Sequence, residues 1–344
     1  MKKTALILQG GGALGAYQYG VIKGFYEKDK NFNPSIITGV SIGAINGAVM
    51  LGGKLGPVKS LEKLWDTLKT PSSSFIPPKW RSSISKFGNP NMYFINPALM
   101  FSPLTAQSIY DISPFCKLLD EIIDFDQLNT HPSTLIIETV NVESGQLERF
   151  SNKSEEGLTI DKIIASMSIP PNFPAVKIDQ GYYWDGGLYA NMPLSPAINH
   201  LEALESENGE AITERELIVV SLFRKNAQMP SNINEVTERI KEIIFAGKLN
   251  LDKKMFEQMN DCIDLIKEID KDLNKDSKVR ENKVYQKLLN HKKINPPLVL
   301  EYRAEGVIGT DDFSEQAMDF RVRQGYRDAV ATLKKPREVA LSPN

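Results

Sequence analysis

Cysteine is nearly absent from this chain. Cys116 and Cys262 are its only two among 344 residues, far apart and without metal-ligand spacing, which excludes a disulfide framework and a cysteine zinc site and fits a reducing compartment. Histidine is almost as scarce. The three present, His131, His200 and His291, are scattered, which argues against a histidine metal centre. Charge of either sign is not in excess: 41 basic against 43 acidic residues give a net −2, so a general nucleic-acid or anionic-membrane binder is excluded. No apolar run approaches the roughly 18 residues that cross a bilayer. The opening run Ala5–Leu8 is too short for a secretory h-region and is cut off by Gln9-Gly10-Gly11-Gly12, so it reads as a buried strand of a cytoplasmic protein that touches membranes from outside. What the chain does have is 41% hydrophobic residues, enough for one large α/β domain or a core with an appendage.

Residues 35–47 organise the rest. The β-branched run Ile36-Ile37-Thr38 enters Gly39-Val40-Ser41-Ile42-Gly43, and small residues (Ala44, Gly47, Ala48) follow, the pattern of a strand, a sharp turn carrying a serine, and a helix. Gly39 and Gly43 leave room for strand and helix to approach around a strained serine. Ser41 then lies at a helix N-terminus, where backbone N–H groups favour developing negative charge. By itself the motif is also compatible with a tight turn bearing a solvated serine.

Upstream, strand 5–8 leads into Gly10-Gly11-Gly12-Ala13-Leu14-Gly15 and then an amphipathic helix with Leu14, Tyr17, Val21 and Phe25 on one side. This satisfies the dinucleotide fingerprint, but that use needs an acid closing the second strand, where this chain has Ser41 in another glycine turn. The alternative is an oxyanion hole, in which Gly10, Gly11 and Gly12 let backbone N–H groups point into a cavity shared with the serine.

Further on, residues 59–69 form a helix with Leu61, Leu64, Trp65 and Leu68 inward. Residues 71–105 are irregular, with Pro71, Pro77, Pro78, Pro90, Pro97 and Pro103 among Phe75, Trp80, Phe87, Tyr93, Phe94 and Phe101. That stretch is either a flap forming an acyl-binding wall or a structural excursion over the sheet. Thr134–Ser151 alternates as a hairpin turning at Ser144-Gly145, and Leu217–Leu222 reads as a buried parallel strand. Strands separated by helices point to a three-layer α/β/α sandwich with a mainly parallel sheet.

The charged segment 231–293 carries amphipathic helices around Ile243–Leu251 and Ile263–Ile269, whose mixed charges mark a solvated face or a surface that docks on a membrane or partner. Pro297–Tyr302 is a returning strand, Ser314 caps a last helix striped by Met318, Val322, Tyr326, Ala329 and Leu333, and Lys334–Asn344 frays. The organisation is thus a core over 4–222 and a helical, charge-rich part with returning strand and helix over 223–335, packed on the same domain.

Asp185-Gly186-Gly187 follows a short aromatic strand, Tyr182-Tyr183-Trp184. An acid there, with two glycines leaving room, is a candidate base, or an ordinary Asp-Gly turn. Taken in order, the Gly10–Gly15 block, the Gly39–Gly43 elbow and the Asp185 triplet resemble the bacterial patatin-like phospholipases. So do Ala165-Ser166, Ile169-Pro170, Phe173-Pro174 and Asn191-Met192-Pro193-Leu194. Leu14 stands where many members carry Arg or Lys. The resemblance covers roughly residues 4 to 222. It implies a Ser–Asp dyad with Ser41 as nucleophile, Asp185 as base and N–H groups around Gly11 and Gly12 as oxyanion donors, acting on lipid or phospholipid acyl esters during transient membrane contact. Nothing implies a metal or organic cofactor, and the oligomeric state is left open.

A serine–histidine hydrolase would need His200 or His291. His200 leads away on a helix, and His291 lies in a charged segment. A malonyl-transfer-type acyltransferase would have histidine beside the nucleophile, where Val40 stands. A carboxylate near its reference pKa of about 3.9 is a poor base, so desolvation beside Tyr183 and Trp184 is expected to raise Asp185. The rivals to a hydrolase are an acyltransferase or thioesterase using the same acyl-serine, and a lipid-binding protein that kept the fold.

Overall fold

The computed structural model describes residues 1–71, 88–205, 211–303 and 309–334. The proline-rich flap residues Phe75, Pro77, Pro78, Trp80 and Phe87, and the tail beyond Lys334, lie outside them. The strands are β1 (Lys2–Leu8), β2 (Ile36–Gly39), β3 (Gly88–Asn89), β4 (Tyr93–Ile95), β5 (Tyr110–Asp111), β6 (Thr134–Asn141), β7 (Leu147–Ser151), β8 (Val176–Ile178), β9 (Gly181–Asp185), β10 (Glu214–Ser221) and β11 (Leu298–Glu301). The helices are α1 (Gly15–Lys28), α2 (Ile42–Gly52), α3 (Pro57–Leu68), α4 (Ala98–Phe101), α5 (Ser113–Ile122), α6 (Phe125–Thr130), α7 (Ile160–Ala165), α8 (Leu194–Ala203), α9 (Ile233–Asp272), α10 (Lys283–Leu289) and α11 (Glu315–Lys334).

The main sheet runs β11-β10-β1-β2-β6-β9-β8, with β7 beside β6. The pairs from β11 across to β6 are parallel, and β6–β7, β6–β9 and β8–β9 are antiparallel. Apolar residues on β1 alternate between two cores, as the strand period of two requires. Leu6 and Leu8 join the side covered by α1, α2, α3 and α11, while Ala5 and Ile7 join the side of α8, where Phe256 of α9 also packs. That is a three-layer α/β/α sandwich with a mainly parallel sheet.

One detail of the sheet positions the site. β7 occupies one edge of β6 along residues 136–140, so β2, paired to 134–137, and β9, paired to 139–141, share the other edge. β2 runs parallel to β6 and stops at Gly39 opposite Ile137; β9 runs antiparallel and stops at Asp185 opposite Thr139. Two strands therefore end facing each other across Glu138, and the residues that follow them must meet.

Three expectations are corrected. Helix α1 is buried nearly all round instead of amphipathic, because α11 covers its second face: Gly20 lies so close to α11 that a Cβ there would sit 2.1 Å from the Val322 carbonyl oxygen. The separate helices expected in 243–269 are one 40-residue helix, α9, since Gly247 alone does not break a helix. It is started by Asn232, whose Oδ1 accepts the Glu235 N–H at 3.0 Å. Ser314 precedes α11 but does not cap it through its side chain: its Oγ is buried with no partner among the described residues, and the Thr70 carbonyl instead accepts the Glu315 N–H at 3.2 Å. Ser314→Ala is therefore expected to leave stability unchanged or raise it by about 1 kcal/mol. Urea unfolding would check this, a loss beyond about 1 kcal/mol pointing to a hidden partner.

Residues 88–105 are not structureless. They contribute β3 and β4 of the small antiparallel sheet β3-β4-β5, on which Tyr93 packs against Tyr110 and Phe173.

Candidate active site

Ser41 sits between β2 and α2 with φ 55 and ψ −128, a left-handed backbone rare for a residue with a Cβ and costing about 1–3 kcal/mol. Its neighbours hold it there. A Cβ on Gly43 would lie 2.2 Å from the Leu8 carbonyl oxygen, and one on Gly39 would lie 2.6 Å from the Ala44 nitrogen, so both must be glycine for α2 to start against β1. The Ser41 N–H is taken by the Ser166 carbonyl at 2.9 Å and reaches Ser166 Oγ at 3.2 Å. That amide is thus not an oxyanion donor. Ser166 Oγ in turn donates to the Glu138 carbonyl at 2.8 Å, and the Asp185 N–H donates to the Ser168 carbonyl at 3.0 Å. The short segment after α7 thereby ties the elbow, the centre of β6 and the end of β9 into one unit.

Asp185 is 3% exposed. Its Oδ1 accepts the Gly187 N–H at 2.7 Å, closing a 3-10 turn over Gly186–Leu188. Gly186 lets that turn press on β6, since a Cβ there would be 2.4 Å from the Glu138 carbonyl oxygen. Burial pushes the carboxyl from 3.8 up to about 7, opposed by hydrogen bonds from the Gly187 N–H and the Ser41 hydroxyl. Ser41 and Asp185 are hence neighbours, and the carboxylate is both turn residue and partner of the serine. Of the two aromatics expected beside it, Tyr183, two positions earlier in β9, shares its face of the sheet, whereas Trp184, one position earlier, faces the other side.

The glycine loop follows β1 and leads through a 3-10 turn, Gly12–Leu14, into α1. A fully used buried chain of amides fixes its base. Trp65 Nε1 donates to Asn46 Oδ1 (3.0 Å), Asn46 Nδ2 to Gln18 Oε1 (2.9 Å), and Gln18 Nε2 to the Gln9 carbonyl (2.7 Å), while Gln9 Oε1 accepts the Leu222 N–H (2.7 Å). Among the described residues the Gly11 and Gly12 N–H groups have no acceptor, whereas Ala13 N–H is spent on the Thr310 carbonyl at 2.8 Å. Gly10 plays a different part: its carbonyl accepts Asn191 Nδ2 at 3.1 Å.

Leu14 is buried in the core and offers no polar contact. A cation reaches the loop from elsewhere. Arg321 of α11, 3% exposed, donates from Nη1 to the Ala13 carbonyl (3.3 Å) and the Asp312 carbonyl (2.6 Å), and from Nη2 to the Gly309 carbonyl (2.9 Å). Thr310 is also anchored to α9, its hydroxyl accepting from Lys241 Nζ at 3.1 Å. Sequence reasoning assigned no role to Thr310, Arg321, Ser166 or Asn191. Only the latter two left a signal, as parts of quoted motifs.

No group of three metal-binding side chains occurs among the described residues, nor any helix long and apolar enough to cross a membrane.

Comparison with characterised protein sequences gives no match. Among solved structures the chain is similar to VipD from Legionella pneumophila, at 16% identity and a TM-score of 0.42 over 96% of this chain and 66% of VipD. It is also similar to ExoU of Pseudomonas aeruginosa, solved in a heterodimeric complex with SpcU, at 19% identity and a TM-score of 0.33 over 70% of this chain and 49% of that one. The chain thus spans less than two thirds of either. The patatin-like phospholipase model matches residues 6–198, more than half of the sequence. The chain belongs to the patatin-like phospholipase family.

Proposed function

We propose that this chain is a serine lipid acyl hydrolase working through a Ser41–Asp185 dyad. The observation that carries the reading is a strained serine hydrogen-bonded to a buried carboxyl raised to about 7, a value suited to proton transfer near neutrality. In this reading the Asp185 carboxylate takes the Ser41 hydroxyl proton as Oγ attacks the ester carbonyl. The N–H groups of Gly11 and Gly12 receive the oxyanion, the alcohol leaves with the proton, and Asp185 then activates a water to release the acid from the acyl-serine. Phospholipid or other lipid acyl esters are the substrate class, taken from the family. Membrane contact is supported by the outward face of α9 near the loop, where Ile233, Ile240, Ile243 and Ile244 are all more than half exposed.

Active-site labelling with a fluorophosphonate tests it. Wild type is expected to label, Ser41→Ala not at all, and the wild-type rate to climb about tenfold per pH unit below 7 and level off above, as Asp185 loses its proton. Labelling that survives Ser41→Ala, or a rate flat from pH 5 to 9, would overturn the dyad.

A further inference from the structure

Asn191 lies three residues beyond the 3-10 turn and is 4% exposed. Its Nδ2 donates to the Gly10 carbonyl at 3.1 Å, across 181 residues of sequence. A carbonyl only accepts, so the orientation of the carboxamide is fixed. Its Oδ1 fills space that two glycines leave: a Cβ on Gly10 would lie 2.3 Å from it, and one on Gly187 2.9 Å from it. The same Gly187 position is 3.0 Å from Asp185 Oδ1, and the same Gly10 position is 3.0 Å from Ser41 Cβ. One buried carboxamide is therefore wedged between the donor loop, the turn of the base and the nucleophile.

We infer that Asn191 is a positioning residue, which aims the Gly11 N–H into the oxyanion hole and keeps the loop in register with Asp185; the inference rests on the hydrolase reading. The peptide between Gly10 and Gly11 is planar and trans, so its carbonyl and its N–H point in opposite directions. Asn191 holds the carbonyl, and the Gly11 N–H, which has no acceptor among the described residues, is thereby turned to the far side. Gly10 and Gly187 are glycine to admit the carboxamide. Without Asn191 the peptide is free to rotate, and the donor is lost from the place where charge develops.

The test uses the full chain, a soluble p-nitrophenyl ester and the fluorophosphonate. Asn191→Ala is expected to lower kcat and the labelling rate about 10- to 100-fold, on the order of one oxyanion donor. KM should stay within twofold, and the rise with pH should stay centred near 7. Asn191→Leu keeps the branched shape between the two glycines, brings no charge beside Asp185 and has no N–H donor, so it should fold and lose rate similarly. It decides the matter if the alanine variant does not fold. A folded Asn191→Leu with kcat within twofold of wild type would overturn the inference while leaving the hydrolase reading intact. A folded wild type that neither labels nor turns over would overturn both.

Discussion

Asp185→Asn is expected to lower kcat about 10³-fold or more while raising the melting temperature above pH 7. The first effect follows from removing the proposed base, for which general-base catalysis accounts for about 10²–10⁴. The second follows from linkage. Burial raises the folded-state pKa to about 7, against about 3.9 in an unfolded chain. Between those values the folded protein holds a proton that the unfolded chain has released, so stability falls as pH rises from about 4 to 7. The loss is complete above 7, at about 4 kcal/mol for a shift of this size. Asparagine has the same shape, still accepts the Gly187 N–H and carries no charge to desolvate. The variant should match wild type near pH 4 and melt several degrees higher at pH 8. Calorimetry across that range checks it, and a difference independent of pH would show that the carboxyl is not held above its usual range.

Gly43→Ala is expected to leave little folded protein. The added methyl would sit 2.2 Å from the Leu8 carbonyl oxygen, a backbone atom of the central strand that cannot move without breaking the β1–β2 pairing. Overpacking of that kind commonly costs 1–3 kcal/mol when side chains can give way, and more when only backbone faces the intruder; a loss above about 4 kcal/mol is expected here. Gly56→Ala is the control. It has φ +82 with ψ 167 and nothing within 4 Å, so it should lose only about 1–3 kcal/mol from its positive-φ backbone. Urea midpoints of the two variants decide it, and similar midpoints would mean that α2 can withdraw from β1.

The contrast bears on what the sequence could disclose. Gly39, Ser41 and Gly43 are legible because their steric roles are local: strand, turn and helix follow within a dozen residues. Asp185 is legible for the same reason, as an acid closing a short strand before two glycines. The sheet was readable from apolar runs such as Leu217–Leu222, which falls across the end of β10. The contacts around the glycine loop are not local. Arg321 and Thr310 reach it from beyond residue 300, and a buried arginine on an amphipathic helix looks in sequence like any solvated one. The burial of helix α1 is hidden for the same reason: Gly20 reads as a weak helix residue, and its contact with Val322 lies about 300 residues away. Likewise the motif containing Asn191 was visible, but not that its carboxamide would lie against Gly10.

The docking of α11 on α1 has a consequence for how the molecule comes into being. Tyr17 hydrogen-bonds Asp328, and Ala13 is held by Arg321, 308 residues away. Contacts of such separation are slow to form, since the loop they close must lose its freedom first. During synthesis Ser41 and Asp185 leave the ribosome well ahead of Thr310 and Arg321. The nascent chain therefore holds Ser41 and Asp185 early, while the second half of its glycine loop waits for Arg321, 136 residues beyond Asp185. Acquisition of the finished loop waits for α11, and a product truncated before it carries the pair without its brace.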